Sequence, residues 1–295
     1  MKLSVIIPVF RGGEILKDLF IRIDNVLFNR FDYEVLFICD GCDQKSYSVL
    51  KEVQKSWPEH IRIFYFARNQ GQHKAIQFGL GKAKGDFIVT MDEDLQHDPS
   101  DIPALIEKQM EGNYDVVYGH FTNLQHKGIR NNISKILRVV LKHFIPALYE
   151  YYSPYRLIKS ETAHKIATVT DQYVFIDDLL CRITRSLAFV DITHHPRITG
   201  RSSYTIFRLL KHAILIVFLY SPIAYWLTGF GSVLVLSGLI PVALKAFFSL
   251  SIFTGDVSSR LLSLSGLVFL ILGLSGLIIR YFGTIRSKET KYIPI

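Results

Sequence analysis

Residues 87–91 form an apolar run that ends abruptly in Asp92, Glu93 and Asp94, followed by Leu95, Gln96, His97 and Asp98. A buried strand has this pattern where it emerges at the edge of a parallel sheet and presents carboxylates there. Carboxylate and amide oxygens are hard ligands, so Asp92, Asp94 and Gln96 suit Mg²⁺ or Mn²⁺ holding a diphosphate. The same stretch also fits an acidic turn, with Asp98 capping a helix that begins at Pro99. The segment alone leaves both readings open.

The elements around it have the spacing of βαβ units. Residues 3–9 (LSVIIPV) are a β-rich run broken by Gly12 and Gly13, and Leu16, Leu19, Phe20, Ile23, Val26 and Leu27 then recur at helical spacing. A second strand over 33–39 ends in Asp40-Gly41, and residues 49–57 close a second helix. A third strand over 61–66 ends in Arg68-Asn69-Gln70-Gly71, and residues 72–82 read as helix. The fourth strand spans 86–91, a helix spans 99–110, and a fifth strand spans 115–118. Alternation of this kind predicts a mostly parallel α/β sheet with helices on both faces. Ligands in such folds bind beyond the carboxyl ends of the strands. Asp40, Asn69 and the Asp92/Asp94 pair all fall there, so three successive strand ends converge on one crevice.

Bulk properties narrow the class. The chain has 295 residues, 49% of them hydrophobic, and a net charge of +8. That charge fits an anionic membrane surface or phosphorylated substrates. Nucleic acid would fit the charge alone, but no dense basic cluster is present. Three cysteines, Cys39, Cys42 and Cys181, make no disulfide framework and fit a reducing compartment. Cys39 and Cys42 form a C-x-x-C without the second pair a zinc site needs, which leaves strand-edge packing or a redox role.

The C-terminal half changes character. From Gly128, the residues Ile133, Ile136, Leu137, Val140, Leu141 and Phe144 form an apolar stripe flanked by Arg130, Lys135, Arg138 and Lys142. A basic amphipathic helix of this kind over 128–152 fits a membrane interface; an ordinary surface helix packed on the domain is the other reading. Between Ala213 and Leu244 there is no Asp, Glu, Lys or Arg, and Ser221-Pro222 is the natural break. An interfacial helix before that break and a span over about 223–248 are expected, with Trp226 and Lys245 as interface anchors. A second span covers about 261–282, and Arg280, Arg286, Lys288 and Lys291 place the tail in the cytoplasm. Two spans return both termini to the cytosolic side, in agreement with an N-terminal apolar run that reads as a strand and not as a signal peptide.

Taken together, these segments carry a resemblance. S-V-I-I-P-V-F near the start, Asp40-Gly41, A-R-N-Q-G-Q-H-K-A, D-E-D-L-Q-H-D-P, Y-R-L-I at 155–158 and R-x-x-G-x-S-x-Y at 197–204 precede two spans. The order resembles family 2 inverting glycosyltransferases of GT-A (Rossmann-like) fold, nearest to the polyprenyl-phosphate glycosyltransferase and dolichol-phosphate mannose synthase branch. The resemblance implies a cytosolic catalytic domain over 1–203, including the interface helix at 128–152. A juxtamembrane helix over 204–222, two transmembrane helices within 223–283 and a cytosolic tail over 284–295 complete the expected chain. It implies that Pro8 and Val9 border the nucleotide base, that Asp40 holds base or ribose, and that Asn69 and Gly71 line the nucleotide pocket. Asp92, Asp94 and Gln96 would hold the diphosphate and its metal, Arg156 would count among the substrate-binding residues, and Arg197 and Ser202 would approach from a loop that Tyr204 helps to close. Association of subunits into a homo-oligomer is a further implication.

The chemistry asks for these residue types. A departing nucleoside diphosphate concentrates negative charge, which a divalent cation and a planar guanidinium stabilise. The sequence also departs from the family: Ser153-Pro154 stands where many relatives carry an acid before an F-R-L pattern. A hydroxyl acceptor needs a base, whereas a polyprenyl phosphate is already an anion. Asp177 and Asp178 offer a replacement base or, alternatively, a helix N-terminus favoured by the dipole. The expected reaction is sugar transfer from a nucleotide-sugar donor to polyprenyl phosphate at the bacterial inner (plasma) membrane, by a multi-pass protein. Transfer to a hydroxyl of a lipid-linked saccharide, and a non-catalytic sugar-nucleotide-binding scaffold, are the competing readings.

Overall fold

The computed structural model describes residues 1–121, 153–170, 174–192, 223–248 and 257–285. The expected interface helix at 128–152 and juxtamembrane helix at 204–222 lie outside the described residues, as do Arg197, Ser202 and Tyr204. The chain divides into two compact units, one carrying a sheet and its helices and the other carrying two long helices.

In the first unit the order is β1 (Lys2–Val9), α1 (Ile15–Leu27), β2 (Asp32–Asp40), α2 (Gln44–Ser56), β3 (Ile61–Phe66), α3 (Gln72–Lys82) and β4 (Phe87–Thr90). A 3-10 turn (Pro99–Asp101) runs into α4 (Ile102–Gly112), followed by β5 (Val116–Phe121), β6 (Arg156–Lys159), α5 (Ser160–Ala167), α6 (Ile176–Ile183) and β7 (Leu187–Ile192). The strands form one sheet in the order β3-β2-β1-β4-β6-β5-β7. β1 lies parallel to both β2 and β4, and β2 is parallel to β3.

Alternation along the strands sends side chains to two cores. Leu3, Val5, Ile7 and Val9 pack with the apolar faces of α1, α2 and α4. Ile6, Leu36 and Ile38 pack on the other side with α3, α5 and α6. Because both faces are covered, the central strands are apolar almost throughout, which is why they read as continuous hydrophobic runs. Gly79 lets α3 settle onto β1, since a Cβ there would stand 2.7 Å from Ile6 Cγ2.

The sheet differs from five strands taken in sequence. β6 inserts between β4 and β5 and is antiparallel to both. Arg156-Leu157-Ile158-Lys159 is too short to show a strand period, so its placement is a tertiary outcome. The expected helix at Pro99 begins as the 3-10 turn, because the Asp98 side chain accepts from the Ser100 N–H at 2.9 Å and tightens the entry. Asp98 is thus a cap, whatever its neighbours do.

The second unit contains α7 (Ile223–Phe248) and α8 (Val257–Ile285). They pack as an antiparallel pair through small residues. A Cβ on Gly231 would stand 2.4 Å from Leu270 N, one on Gly266 2.7 Å from Val235 N, and one on Gly273 2.5 Å from Thr228 N. Large apolar side chains face outward, among them Trp226, Phe230, Val233, Leu236, Leu267 and Ile271. Among the described residues, no helix is long and apolar enough to cross a membrane.

At the edge of the sheet opposite the strand C-termini, Glu34 is a buried anchor. Its carboxylate accepts from Ser4 Oγ at 2.7 Å, Lys84 N–H at 2.6 Å and Arg62 Nη1 at 2.7 Å. Burial raises its pKa, but the Arg62 guanidinium and the two other donors outweigh that and hold it below the usual carboxylate range. A depressed folded pKa contributes stability that is full above the unfolded value of about 4.3 and is lost as pH falls through the folded value. Glu34→Ala is expected to cost about 2–3 kcal/mol at pH 7, less than a fully buried pair because the Arg62 side chain keeps 30% exposure. Denaturant unfolding of the wild type and the variant from pH 7 to pH 3 checks this: the gap between them should shrink in acid.

Candidate functional site

Parallel pairing aligns the strand ends. Val9 lies beside Cys39, Asp40 beside Phe66, and Ile6 beside Thr90, so the exits of β1, β2, β3 and β4 share one edge. The structure therefore brings Pro8, Val9, Asp40, Asn69 and Asp92 to that edge. Pro8 and Val9 are buried in the last turn of pleat before the chain leaves the sheet.

Asp40, Asn69 and Gly71 form one knot. The Asp40 carboxylate accepts the Gln70 N–H at 2.6 Å and the Gly71 N–H at 2.8 Å, while the Asn69 amide donates to the Asp40 carbonyl at 3.1 Å. Burial pushes the Asp40 carboxyl up against the pull of those two N–H groups. Gly71 has φ +96°, which places α3's first turn beside the knot and strains any L side chain. Cys39 and Cys42 flank Asp40 as buried free thiols. The neighbouring Cys42 thiol and burial push the Cys39 thiol well up, which is the environment of an inert core cysteine.

The acidic turn is tethered from three directions. The Asp92 carboxylate accepts from the Gln72 amide on the first turn of α3. The Asp92 N–H donates to His97 Nδ1 at 3.0 Å. Glu93 turns toward the end of β1, where its carboxylate accepts the Phe10 and Arg11 N–H groups at 3.1 and 3.2 Å. Gly12 leaves room for it, because a Cβ there would stand 2.8 Å from Glu93 Oε2. Burial raises the Glu93 carboxyl, and the adjacent Asp92 and Asp94 charges add to the effect. Asp94 Oδ1 accepts the Gln96 N–H at 3.2 Å across Leu95, which is buried with φ +61°. Asp92, Asp94 and Gln96 stay half-buried and so reach solvent from a rigid turn.

Sequence reading omits several of these partners. Gln72 was legible only as a polar residue opening a helix after a strand-end glycine. Glu93 leaves no signal of its tether, since the N–H groups that donate to it lie 83 and 82 residues upstream. Thr90, Arg156 and Asp177 form a buried chain that spacing does not reveal. Arg156 Nε donates to Thr90 Oγ1 at 3.1 Å and Nη1 to the Asp177 carboxylate, with Tyr118 beside the same carboxylate. Arg156 and Asp177 are each 1% exposed, so the structure places both as a core ion pair that also holds Thr90, two residues before Asp92. Burial pushes Asp177 up and the Arg156 guanidinium draws it back toward the ionised form. Asp178 pairs with Arg182 one turn further along α6, at 2.7 Å.

Comparison with known proteins places this arrangement in context. A sequence profile described as glycosyl transferase family 2 matches residues 4–176. An undecaprenyl-phosphate 4-deoxy-4-formamido-L-arabinose transferase of Klebsiella pneumoniae (strain 342) is 30% identical over 97% of this chain and 89% of its own. The protein of the same name from Proteus mirabilis (strain HI4320) is 28% identical over 97% and 90%. Among solved structures, glucosyl-3-phosphoglycerate synthase from Mycobacterium tuberculosis, in complex with Mn²⁺, uridine-diphosphate-glucose and phosphoglyceric acid, matches with TM-score 0.53. It is 14% identical and covers 74% of this chain and 77% of its own.

The Arg156–Asp177 pair has a distinctive expected signature. Asp177→Ala leaves a buried guanidinium unpaired and should cost about 3–5 kcal/mol, and adding Arg156→Leu should recover part of that loss. Urea unfolding of the single and double variants measures it. An Asp177→Ala chain as stable as the wild type would mean that the pair does not hold β6 to α6.

Proposed function

The chain belongs to glycosyl transferase family 2, and on that premise we propose that it moves a sugar, with inversion, from a nucleotide-diphosphate sugar to polyprenyl phosphate at the cytosolic face of a membrane. The observation that carries the reaction is the placement of Asp92 and Asp94, half-buried on a tethered turn where four strand ends meet. The acceptor class follows from the relatives named for undecaprenyl phosphate, whose similarity runs through 97% of the chain and not through the sheet alone.

The donor set fits a divalent ion. Asp92, Asp94 and Gln96 present hard oxygens, and among the described residues no three His, Cys, Asp or Glu side chains gather into an all-protein cage. Mg²⁺ and Mn²⁺ commonly take one or two carboxylates and complete their shell with substrate phosphates and water. When bound, the ion supplies Lewis-acid neutralisation of the leaving diphosphate; solved fold neighbours carry Mn²⁺ with uridine-diphosphate-glucose. Asp40, Asn69 and Gly71 shape the nucleotide side of the crevice by fixing the start of α3, and Pro8 and Val9 close its floor. Arg197 and Ser202 are assigned to the diphosphate and Tyr204 to closure of the loop over it.

The polarity of the core favours an acceptor that is already ionised. Asp177 is held by Arg156 in the interior and Asp178 by Arg182, so we assign both to positioning α6. A phosphate oxygen attacks without losing a proton and needs neither.

Helices α7 and α8 are read as the membrane anchor. Their seam is glycine and hydroxyl, and their outer faces are Leu, Ile, Val, Phe and Trp. A helical pair in water would place these the other way round. The basic tail, with Arg286, Lys288 and Lys291, stays in the cytoplasm with the catalytic domain, as in a bacterial inner-membrane protein.

Membranes carrying the chain, supplied with undecaprenyl phosphate and a panel of labelled sugar nucleotides, should transfer label into the lipid extract. EDTA should stop transfer, and Mg²⁺ or Mn²⁺ should restore it. Asp94→Ala should lower the rate by at least about 100-fold while leaving the melting temperature in place. Undiminished transfer in that variant, or transfer that ignores EDTA, would overturn the assignment.

A further inference from the structure

β4 runs out of ladder at Met91, whose N–H reaches the Ile6 carbonyl at 3.2 Å. The next N–H, that of Asp92, has no strand to pair with and donates to His97 Nδ1 at 3.0 Å. Acceptance at Nδ1 uses the lone pair of that ring nitrogen. The ring is 3% exposed and lies flat on Tyr155, with centroids 5.0 Å apart and planes 13° apart. Tyr155 is itself immobilised, fully buried and donating its hydroxyl to the Asp98 carbonyl at 2.8 Å. A locked aromatic stack thus holds an acceptor at the point where the chain leaves the sheet to present its carboxylates.

We propose that His97 is a positioning residue for the donor site: its Nδ1 fixes the Asp92 peptide, and thereby aims the Asp92 carboxylate at the divalent cation and diphosphate. The inference rests on the reading of Asp92 as a metal ligand. An aspartate side chain is short, so a rotation of its peptide is carried straight into the carboxylate. A displacement of about 1 Å is enough to cost on the order of 100-fold in a catalytic geometry. Gln72 restrains the carboxylate from the α3 side and His97 restrains the backbone, so Asp92 is held at both ends. Groups that orient a ligand in this way govern affinity without touching the metal.

Two substitutions separate this role from core filling. His97→Phe keeps a ring to stack on Tyr155 and removes the acceptor. His97→Asn gives up the stack and offers Oδ1 near the place of Nδ1. The measurement is Mn²⁺ binding by electron paramagnetic resonance, with and without UDP, on the full chain in detergent, alongside thermal unfolding. His97→Phe should stay folded and bind Mn²⁺ about 10–100-fold more weakly, whereas His97→Asn should melt earlier yet bind within about 3-fold of the wild type. Wild-type affinity in a folded His97→Phe chain overturns the inference, as does a folded His97→Asn chain that has lost Mn²⁺. If His97→Phe does not fold, the His97→Asn result decides alone. Loss of Mn²⁺ in Asp92→Asn with none in His97→Phe removes His97 and leaves the metal reading standing. A wild-type chain that binds no Mn²⁺ in either condition overturns that reading and the inference with it.

Discussion

A backbone N–H that leaves a sheet must find another acceptor, and this requirement organises the whole edge where β1 to β4 end. The Phe10 and Arg11 N–H groups go to Glu93, those of Gln70 and Gly71 go to Asp40, and that of Asp92 goes to His97. Each acceptor comes from a different strand exit than the donors it serves, except His97, which closes its own turn. That edge is therefore sewn together by acidic and imidazole side chains. This also divides the carboxylates by task. Asp40 and Glu93 are consumed by the protein's own backbone, whereas Asp92 and Asp94 sit on the part of the turn that those tethers hold still.

The sheet and the acidic turn were legible in the sequence because they follow local rules. Strands buried on both faces leave continuous apolar runs, and β3 and α3 begin and end where the pattern says they should. That Asp40, Asn69 and Asp92 share one edge could be inferred because parallel strands exit together. What did not show was anything set by chain segments far apart. β6 is four residues whose identity as a strand depends on two neighbours, and the Thr90–Arg156–Asp177 chain joins three elements with no common spacing. Asp177 and Asp178 are a case in point: a pair of acids at a helix start suits catalysis and capping equally, and spacing gives no sign that Asp177 is buried against Arg156 or that Asp178 pairs with Arg182. Glu93 was legible as one of three acids at a strand end, but not as the strut to β1.

The two long helices follow the opposite logic from the sheet unit. In the sheet unit, large apolar side chains are inside and glycine is kept for turns and close helix–sheet contact. Between α7 and α8, glycine lines the contact and the large side chains face out. Both follow from one rule, that the face with the fewest atoms lies where another backbone must approach closely. They differ in what surrounds the remaining faces.

The insertion of β6 has a consequence in time. β3, β2, β1 and β4 are all complete once Thr90 has been made, but the outer edge of β4 is filled by a strand whose first residue lies 66 positions later. At a ribosomal rate of roughly 5–20 residues per second, that edge waits on the order of 3–13 s for its partner. During that interval half a sheet stands with an open row of amides, and Arg156 arrives with the strand that covers them. The nascent chain thus reaches the end of β4 well before the strand that seals the sheet beside it exists, and that edge stays open to pairing until Arg156 is made.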